Sequence, residues 1–308
     1  MKLLIAYDGS RCAEAALDDL KRAGLPANGE AFILSVAEVW LPPAESANGS
    51  LTDDPYIRSL VERRREKGER ALAEYEAYAH HAESRMRTLF PDWEITAEAT
   101  YGSPAWELLA KADDLKPDLI VTGSQGQSAL SRFLLGSVSQ KVLSEARCSV
   151  RVARGKNEVD PSPIRLTIGF DGSRGARAAV DSVAARVWPD GTEAQLISVT
   201  DPISPTAIGR FVPPVNAAVE AVNEAETDWL TAQAADAIKD LAAANVTASH
   251  MIIPGAPKRV IVDEAEKWGA DSIFVGANAF GSKLERFLLG SVSSAVAARA
   301  HCTVEVVR

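Results

Sequence analysis

Two stretches of this sequence place glycines and serines in a pattern suited to holding an anion. In the first, Gly123 and Gly126 stand three apart, nine residues follow, and Gly136-Ser137-Val138-Ser139 opens a helical pattern, "SVSQKVLSEA". Glycine lets the backbone take positive φ and approach a ligand closely, so this loop can wrap an anion. The first-turn N–H groups of the helix that follows have no intrahelical partners and carry the positive end of its dipole. A phosphate group suits such a corner, and the Ser137 and Ser139 hydroxyls can add donors. The same residues also fit a purely local role, with Ser137 capping its helix and the glycines turning the chain. The second stretch repeats the pattern in Gly276, Gly290, Ser291, Val292 and Ser293, but 13 residues separate its outer glycines against 12 in the first, and Ala279 replaces the second glycine. Ala279 cannot take positive φ cheaply, although Gly281 restores some freedom. The first corner is therefore expected to hold its ligand and the second to hold it poorly.

Other chemistries find less support. The lysine-bearing phosphate loop of nucleotide hydrolases, ending in Gly-Lys-Ser or Gly-Lys-Thr, is absent. Arg132 and Arg286 lie close to the two loops in sequence and can face either phosphate or solvent. His80, His81, His250 and His301 have no metal-ligand spacing, and no nucleophile-base set stands out. Cys12, Cys148 and Cys302 are odd in number and far apart, as in a reducing compartment. Cys148 and Cys302 start the last apolar run of each half, where a small buried thiol fits. A formal charge of −9 disfavours nucleic acid and anionic membrane as main partners. The opening apolar run reaches Asp8 too soon for a signal core or a membrane span, and a cytoplasmic location is expected.

The elements that must position these corners occur twice. "LLIAYDGSRCAEAAL" returns as "LTIGFDGSRGARAAV", and "RCSVRVAR" as "HCTVEVVR". The 308 residues suit two domains, expected at residues 1–155 and 164–308 across the polar, proline-bearing "GKNEVDPSP". In each half short apolar runs alternate with helical patterns, which predicts a five-stranded parallel sheet with helices on both faces. The strands are expected at 3–7, 31–36, 95–99, 119–122 and 149–153, and again at 166–170, 194–199, 248–253, 272–275 and 303–307. The charged stretch from Asp54 to Leu89 reads as a solvated helix with an exposed basic face. Every distinctive motif falls at the carboxyl end of a strand, where open α/β sheets bind ligands.

These motifs resemble the universal stress proteins in their tandem form, and the resemblance covers essentially the whole chain. ATP-binding members carry Gly-x-x-Gly, nine residues and Gly-Ser or Gly-Thr, which Gly123, Gly126, Gly136 and Ser137 match. The resemblance implies two Rossmann-like domains of the adenine nucleotide alpha hydrolase-like type. It also implies an aspartate ending the first strand of each half (Asp8, Asp171) and an adenine contact near the end of the second (Val36, Val199). Asp8 as the cap of the following helix is the alternative. The implied ligand is ATP, with or without Mg2+. The implied role is a nucleotide-dependent stress or signalling regulator acting on an unknown protein partner. A nucleotide-independent scaffold and a slow ATPase are the competing readings.

The last strands, Ser149 to Ala153 and Thr303 to Val307, would otherwise be open sheet edges. Antiparallel pairing between them would bury their valines on a shared face and make the chain an intramolecular pseudo-dimer, as the resemblance also implies. A homodimer of the whole chain is allowed but not demanded.

Overall fold

The computed structural model describes residues 1–39, 55–126, 135–154, 162–204, 213–277 and 289–308. Ala279, Gly281, Arg132 and Arg286 lie outside these residues. The first half runs β1 (Lys2–Ala6), α1 (Arg11–Asp19), β2 (Glu30–Ala37), α2 (Pro55–Leu89), β3 (Glu94–Tyr101), α3 (Pro104–Leu115), β4 (Leu119–Gly123), α4 (Ser137–Glu145) and β5 (Ser149–Ala153). The second repeats it as β6 (Arg165–Gly169), α5 (Arg174–Ala184), β7 (Glu193–Thr200), α6 (Pro213–Ala243), β8 (Thr247–Pro254), α7 (Pro257–Trp268), β9 (Ser272–Gly276), α8 (Ser291–Arg299) and β10 (Thr303–Val307). All ten expected strands are present, with ends shifted by at most two residues.

The ten strands form one sheet, in the order β3-β2-β1-β4-β5-β10-β9-β6-β7-β8. Pairing is parallel within each half and antiparallel only at the join, where Val304, Glu305 and Val306 face Val152, Arg151 and Val150. Central strands are apolar on both sides, as strands covered on both faces must be: Leu3, Leu4 and Ile5 of β1 are all fully buried. The outermost strands, β3 and β8, instead alternate covered and exposed residues.

The two faces of the sheet are packed differently. Under α3, α4, α7 and α8 one apolar cluster crosses the join and includes Val150, Val152, Val304 and Val306. On the opposite face two separate clusters lie under the first and second halves. Between them stand Arg151 and Glu305, both 0% exposed. The expected burial of the valines is thus accompanied by burial of the charged residues that alternate with them.

Candidate functional site

Strand order reverses at β1, which has β2 on one side and β4 on the other. At the carboxyl ends of these strands lies a cavity of ≈ 530 Å³, the place where such sheets receive ligands. Its walls include Asp8, Val36, Gly123, Gly126 and Gly136 to Ser139, the entire first-half set expected from sequence.

Asp8 follows β1 and accepts a hydrogen bond from the Ser10 N–H at 3.0 Å. Ser10, not Asp8, caps α1, its Oγ accepting from the Ala13 N–H at 3.1 Å. The intervening Gly9 has φ +73° and packs against the Tyr78 ring, 3.0 Å from where a Cβ would stand. The Asp8 side chain is thereby held at the cavity rather than spent on the helix.

Of the two uses expected of the loop glycines, positive φ and close approach, only the second is seen. Gly123, Gly126 and Gly136 are absent from the positive-φ residues; close approach is what they provide. A Cβ on Gly123 would stand 2.9 Å from the Cys12 backbone, so this glycine seats β4 against α1. A Cβ on Gly126 would stand 2.9 Å from Asp8 Oδ2, which sets that carboxylate beside the loop backbone.

Gly136 is the N-cap of α4, and among the described residues no side chain caps that helix. Ser137 is the first helical residue and is exposed, so it does not serve as the cap. The leading N–H groups of α4 are therefore left for an anion. Ser139 is only 4% exposed and donates its hydroxyl to the Gly123 carbonyl at 2.7 Å. Its proton is committed to the strand end, and it clamps α4 to β4 instead of donating to a ligand.

Sequence reasoning missed several lining residues, and three of them bear on the chemistry of the cavity. Thr122 ends β4, is 2% exposed, and its Oγ1 has no hydrogen-bond partner among the described residues. Glu38 follows β2, and Tyr75 reaches the cavity from α2. Burial, then the charges of Asp8, Glu74 and Glu38, hold the Tyr75 phenol above its usual pKa. The first part of α2 is solvated as expected, but Ala79, Ala82 and Met86 are buried. The signal available in sequence was the pair Tyr75 and Tyr78, three apart in an otherwise charged helix.

A polar latch holds α2 in place. The Tyr7 hydroxyl donates to Glu14, Arg85 bridges Glu14 and Asp18, and His81 Nε2 lies 3.0 Å from Glu14 Oε1. Burial and the neighbouring Glu14 raise the Tyr7 pKa. Burial alone would raise that of Glu14, but the Tyr7 hydrogen bond and the Arg85 charge prevail and hold it low. Among the described residues the cavity wall carries Asp8 and Glu38 but no lysine or arginine, and no group of three or more His, Cys, Asp or Glu could hold a metal ion.

The second-half set does not line this cavity; it occupies the matching corner of the other half. Asp171 accepts from the Ser173 N–H at 3.0 Å, and Ser173 caps α5. Gly290 is the uncapped start of α8, and Ser293 donates to the Gly276 carbonyl at 2.5 Å. Asp171, Ser291 and Val292 lie at the surface or half-buried, and Val199 packs against the shared apolar cluster.

Comparison with known proteins agrees with this architecture. A universal stress protein of Thermus aquaticus is 34% identical over 152 residues, 49% of this chain and 97% of its own length. One of Mycobacterium tuberculosis is 25% identical over 228 residues, 70% of this chain and 69% of its own. The crystal structure of a universal stress protein from Archaeoglobus fulgidus covers 100% of this chain and 96% of its own with a TM-score of 0.59, at 22% identity, a likeness of fold. No described helix is long and apolar enough to cross a membrane. The family model of the universal stress proteins matches twice, over residues 1–154 and 165–308, and the chain accordingly belongs to the universal stress protein family, with the family's unit present in tandem.

Proposed function

We propose that the first half binds an adenine nucleotide, ATP with Mg2+, and that the protein is a nucleotide-dependent regulator and not a dedicated hydrolase. The observation that carries this reading is the convergence of the first-half residues on one cavity with two unlike ends. One end is apolar, with Val36, Leu34, Leu108 and Pro104 suited to a flat base; the other holds the uncapped start of α4, suited to phosphate. Thr122 Oγ1 supplies a buried hydroxyl without a partner among the described residues, the kind of group a ligand satisfies.

Asp8 and Glu38 would repel bare phosphates, which favours a nucleotide that arrives with its divalent cation. Mg2+ would neutralise phosphate charge, and Asp8 is the residue best placed to meet it. Among the described ionisable residues of the cavity wall, Tyr75 is a poor base because its raised pKa keeps it protonated, and Asp8 is assigned to the cation. Occupancy, rather than turnover, is then the signal read by a protein partner, and α2 is the element that could report it through Tyr75.

Calorimetric titration of nucleotide-stripped protein with ATP and Mg2+ tests the reading. Saturable binding of about one nucleotide per chain is expected, because the second corner departs from the first. No saturation by about 1 mM ligand, equivalent to a binding free energy weaker than about 4 kcal/mol, would remove it.

A further inference from the structure

The contacts across the join fall into two kinds, and the difference between them indicates which partner each half will accept. The first kind is symmetric. Arg154, following β5, donates Nη2 to the Ala297 carbonyl in the last turn of α8 at 2.5 Å. Arg308, following β10, donates Nη2 to the Leu143 carbonyl in the last turn of α4. These positions correspond, since Arg154 to Arg308 and Leu143 to Ala297 are both offsets of 154 residues. A cation at a helix C-terminus is favourable, and this exchange would hold any two units together. The valines of β5 and β10 are equally indifferent, because each strand offers the same apolar face.

The second kind is asymmetric. The register sets Glu305 opposite Arg151 at the centre of the antiparallel pair, which is the point through which the pseudo-twofold axis passes. Arg151 Nη1 donates to Glu305 Oε2 at 3.1 Å and Nη2 to Ser272 Oγ at 3.1 Å, both in the second half. Its Nε donates to Asp19 Oδ2 at 2.6 Å within its own half. Asp19 Oδ1 accepts in turn from Thr303 Oγ1 of the second half at 2.6 Å. Glu305 also accepts from Arg186, whose other amino group donates to the Ala23 carbonyl of the first half at 2.9 Å.

Replacing the second half by another copy of the first would put Arg151 against Arg151 on the axis, and Leu119 where Ser272 now accepts. Two guanidiniums would meet in a dry interface, with Nη1 and Nη2 of each deprived of acceptors. Two copies of the second half would set Glu305 against Glu305. Each charge would keep the partner from its own half, Asp19 or Arg186, but would lose the opposite charge across the join and meet a like charge in its place, which is unfavourable in a dry interface.

We infer that the edges formed by β5 and β10 recognise unlike partners: the first half's edge accepts that of the second half, in the same chain or in another copy of it, and rejects a second copy of itself. The symmetric contacts supply adhesion, and the Arg151, Glu305, Asp19, Ser272 and Arg186 cluster supplies identity.

The test uses the full chain with a protease recognition sequence inserted between residues 155 and 161. After cutting, the protein is unfolded in urea and refolded, and the pairs are counted by native mass spectrometry, where the two halves differ in mass. Unlike pairs are expected to exceed either like pair by about tenfold or more, whereas a roughly 1:2:1 distribution, that of indifferent edges, would overturn the inference. A second measurement needs no refolding. Glu305→Arg in the intact chain places a guanidinium opposite Arg151, and Glu305→Gln drops the charge while keeping an acceptor oxygen. Glu305→Arg should melt far below Glu305→Gln, or fail to fold where Glu305→Gln folds; equal melting temperatures would overturn the inference as surely as indifferent pairing.

Discussion

The two corners of this molecule share a frame and differ in their lining. In both, an aspartate accepts from the N–H two residues on at 3.0 Å, a glycine of positive φ follows that aspartate, and a serine caps the next helix. In both, the helix after the loop starts at an uncapped glycine, and a serine of its first turn clamps it to the end of the neighbouring strand. The linings depart from one another. Thr122 answers to Val275, so the unpartnered hydroxyl is replaced by a methyl. Three residues before the aromatic ring that covers the glycine turn stands Tyr75 in the first half and exposed Glu226 in the second. Ser35 Oγ is buried without a partner among the described residues, whereas its counterpart Ser198 donates to the Phe170 carbonyl at 2.6 Å and lies 2.8 Å from His250 Nε2. The comparison teaches that the glycine and serine motif reports the architecture of the corner, while ligand selection resides in residues the motif does not contain.

The comparison breaks first, and most visibly, at the strand-end glycines. A Cβ on Gly276 would stand 2.3 Å from the Gly175 backbone, against 2.9 Å for Gly123 and the Cys12 backbone. Gly276→Ala should therefore cost about 3 kcal/mol or more and Gly123→Ala less than that, read from urea unfolding midpoints with no ligand present. Equal costs would mean that the two frames are seated alike.

The next test separates frame from lining within the first corner. Gly126→Val drives a side chain onto Asp8 Oδ2, and should weaken ATP binding by about tenfold or more while lowering stability by only ~1–3 kcal/mol. Unchanged affinity in calorimetry would detach the loop from the ligand.

A smaller effect sharpens the lining itself. Thr122→Val should lower nucleotide affinity by roughly three- to tenfold, the worth of one hydrogen bond, without loss of stability, because the hydroxyl has no partner among the described residues. The mirror change, Val275→Thr, should destabilise by about 1 kcal/mol and leave affinity where it was. A gain of binding in that variant would show that the second corner lacks only this hydroxyl.

The smallest expected difference lies between two thiols in equivalent places. Burial pushes Cys148 up to about 11 and Cys302 up to about 12. Burial disfavours the thiolate, so both should resist alkylation of the folded protein at about pH 8, where unfolded cysteine is partly ionised. Mass spectrometry after timed labelling reads the two rates, and fast labelling of either would place that strand start in solvent.

Much of this could be read from the residues because the motifs are local. Asp-Gly-Ser specifies its own turn and cap, Pro104 and Pro257 mark helix starts, and apolar runs of five to eight residues specify strands. What escaped depends on contacts distant in the chain. That Ser139 would turn inward follows from the reach of α4 to the Gly123 carbonyl, and that Tyr75 would face the cavity follows from the rotational setting of α2 on β2 and β3. The burial of Arg151 and Glu305 needed Asp19 and Arg186, residues 132 and 119 positions away along the chain. Alternation along β5 pointed to one covered, valine-bearing face; the face that carries Arg151 is covered as well, by Asp19 of its own half and by Ser272 and Glu305 of the other.

The antiparallel join has a directional outcome. Strands of the first half run against those of the second, so their carboxyl ends, and with them the two corners, open on opposite rims of the sheet. The Ser124 N–H donates to the Ala153 carbonyl at the end of β5, and the Ala277 N–H donates to the Val307 carbonyl at the end of β10. Each loop is thus moored to the tip of the strand it shares with the seam. The molecule thus turns one corner to each rim, with the β5–β10 pair lying between them.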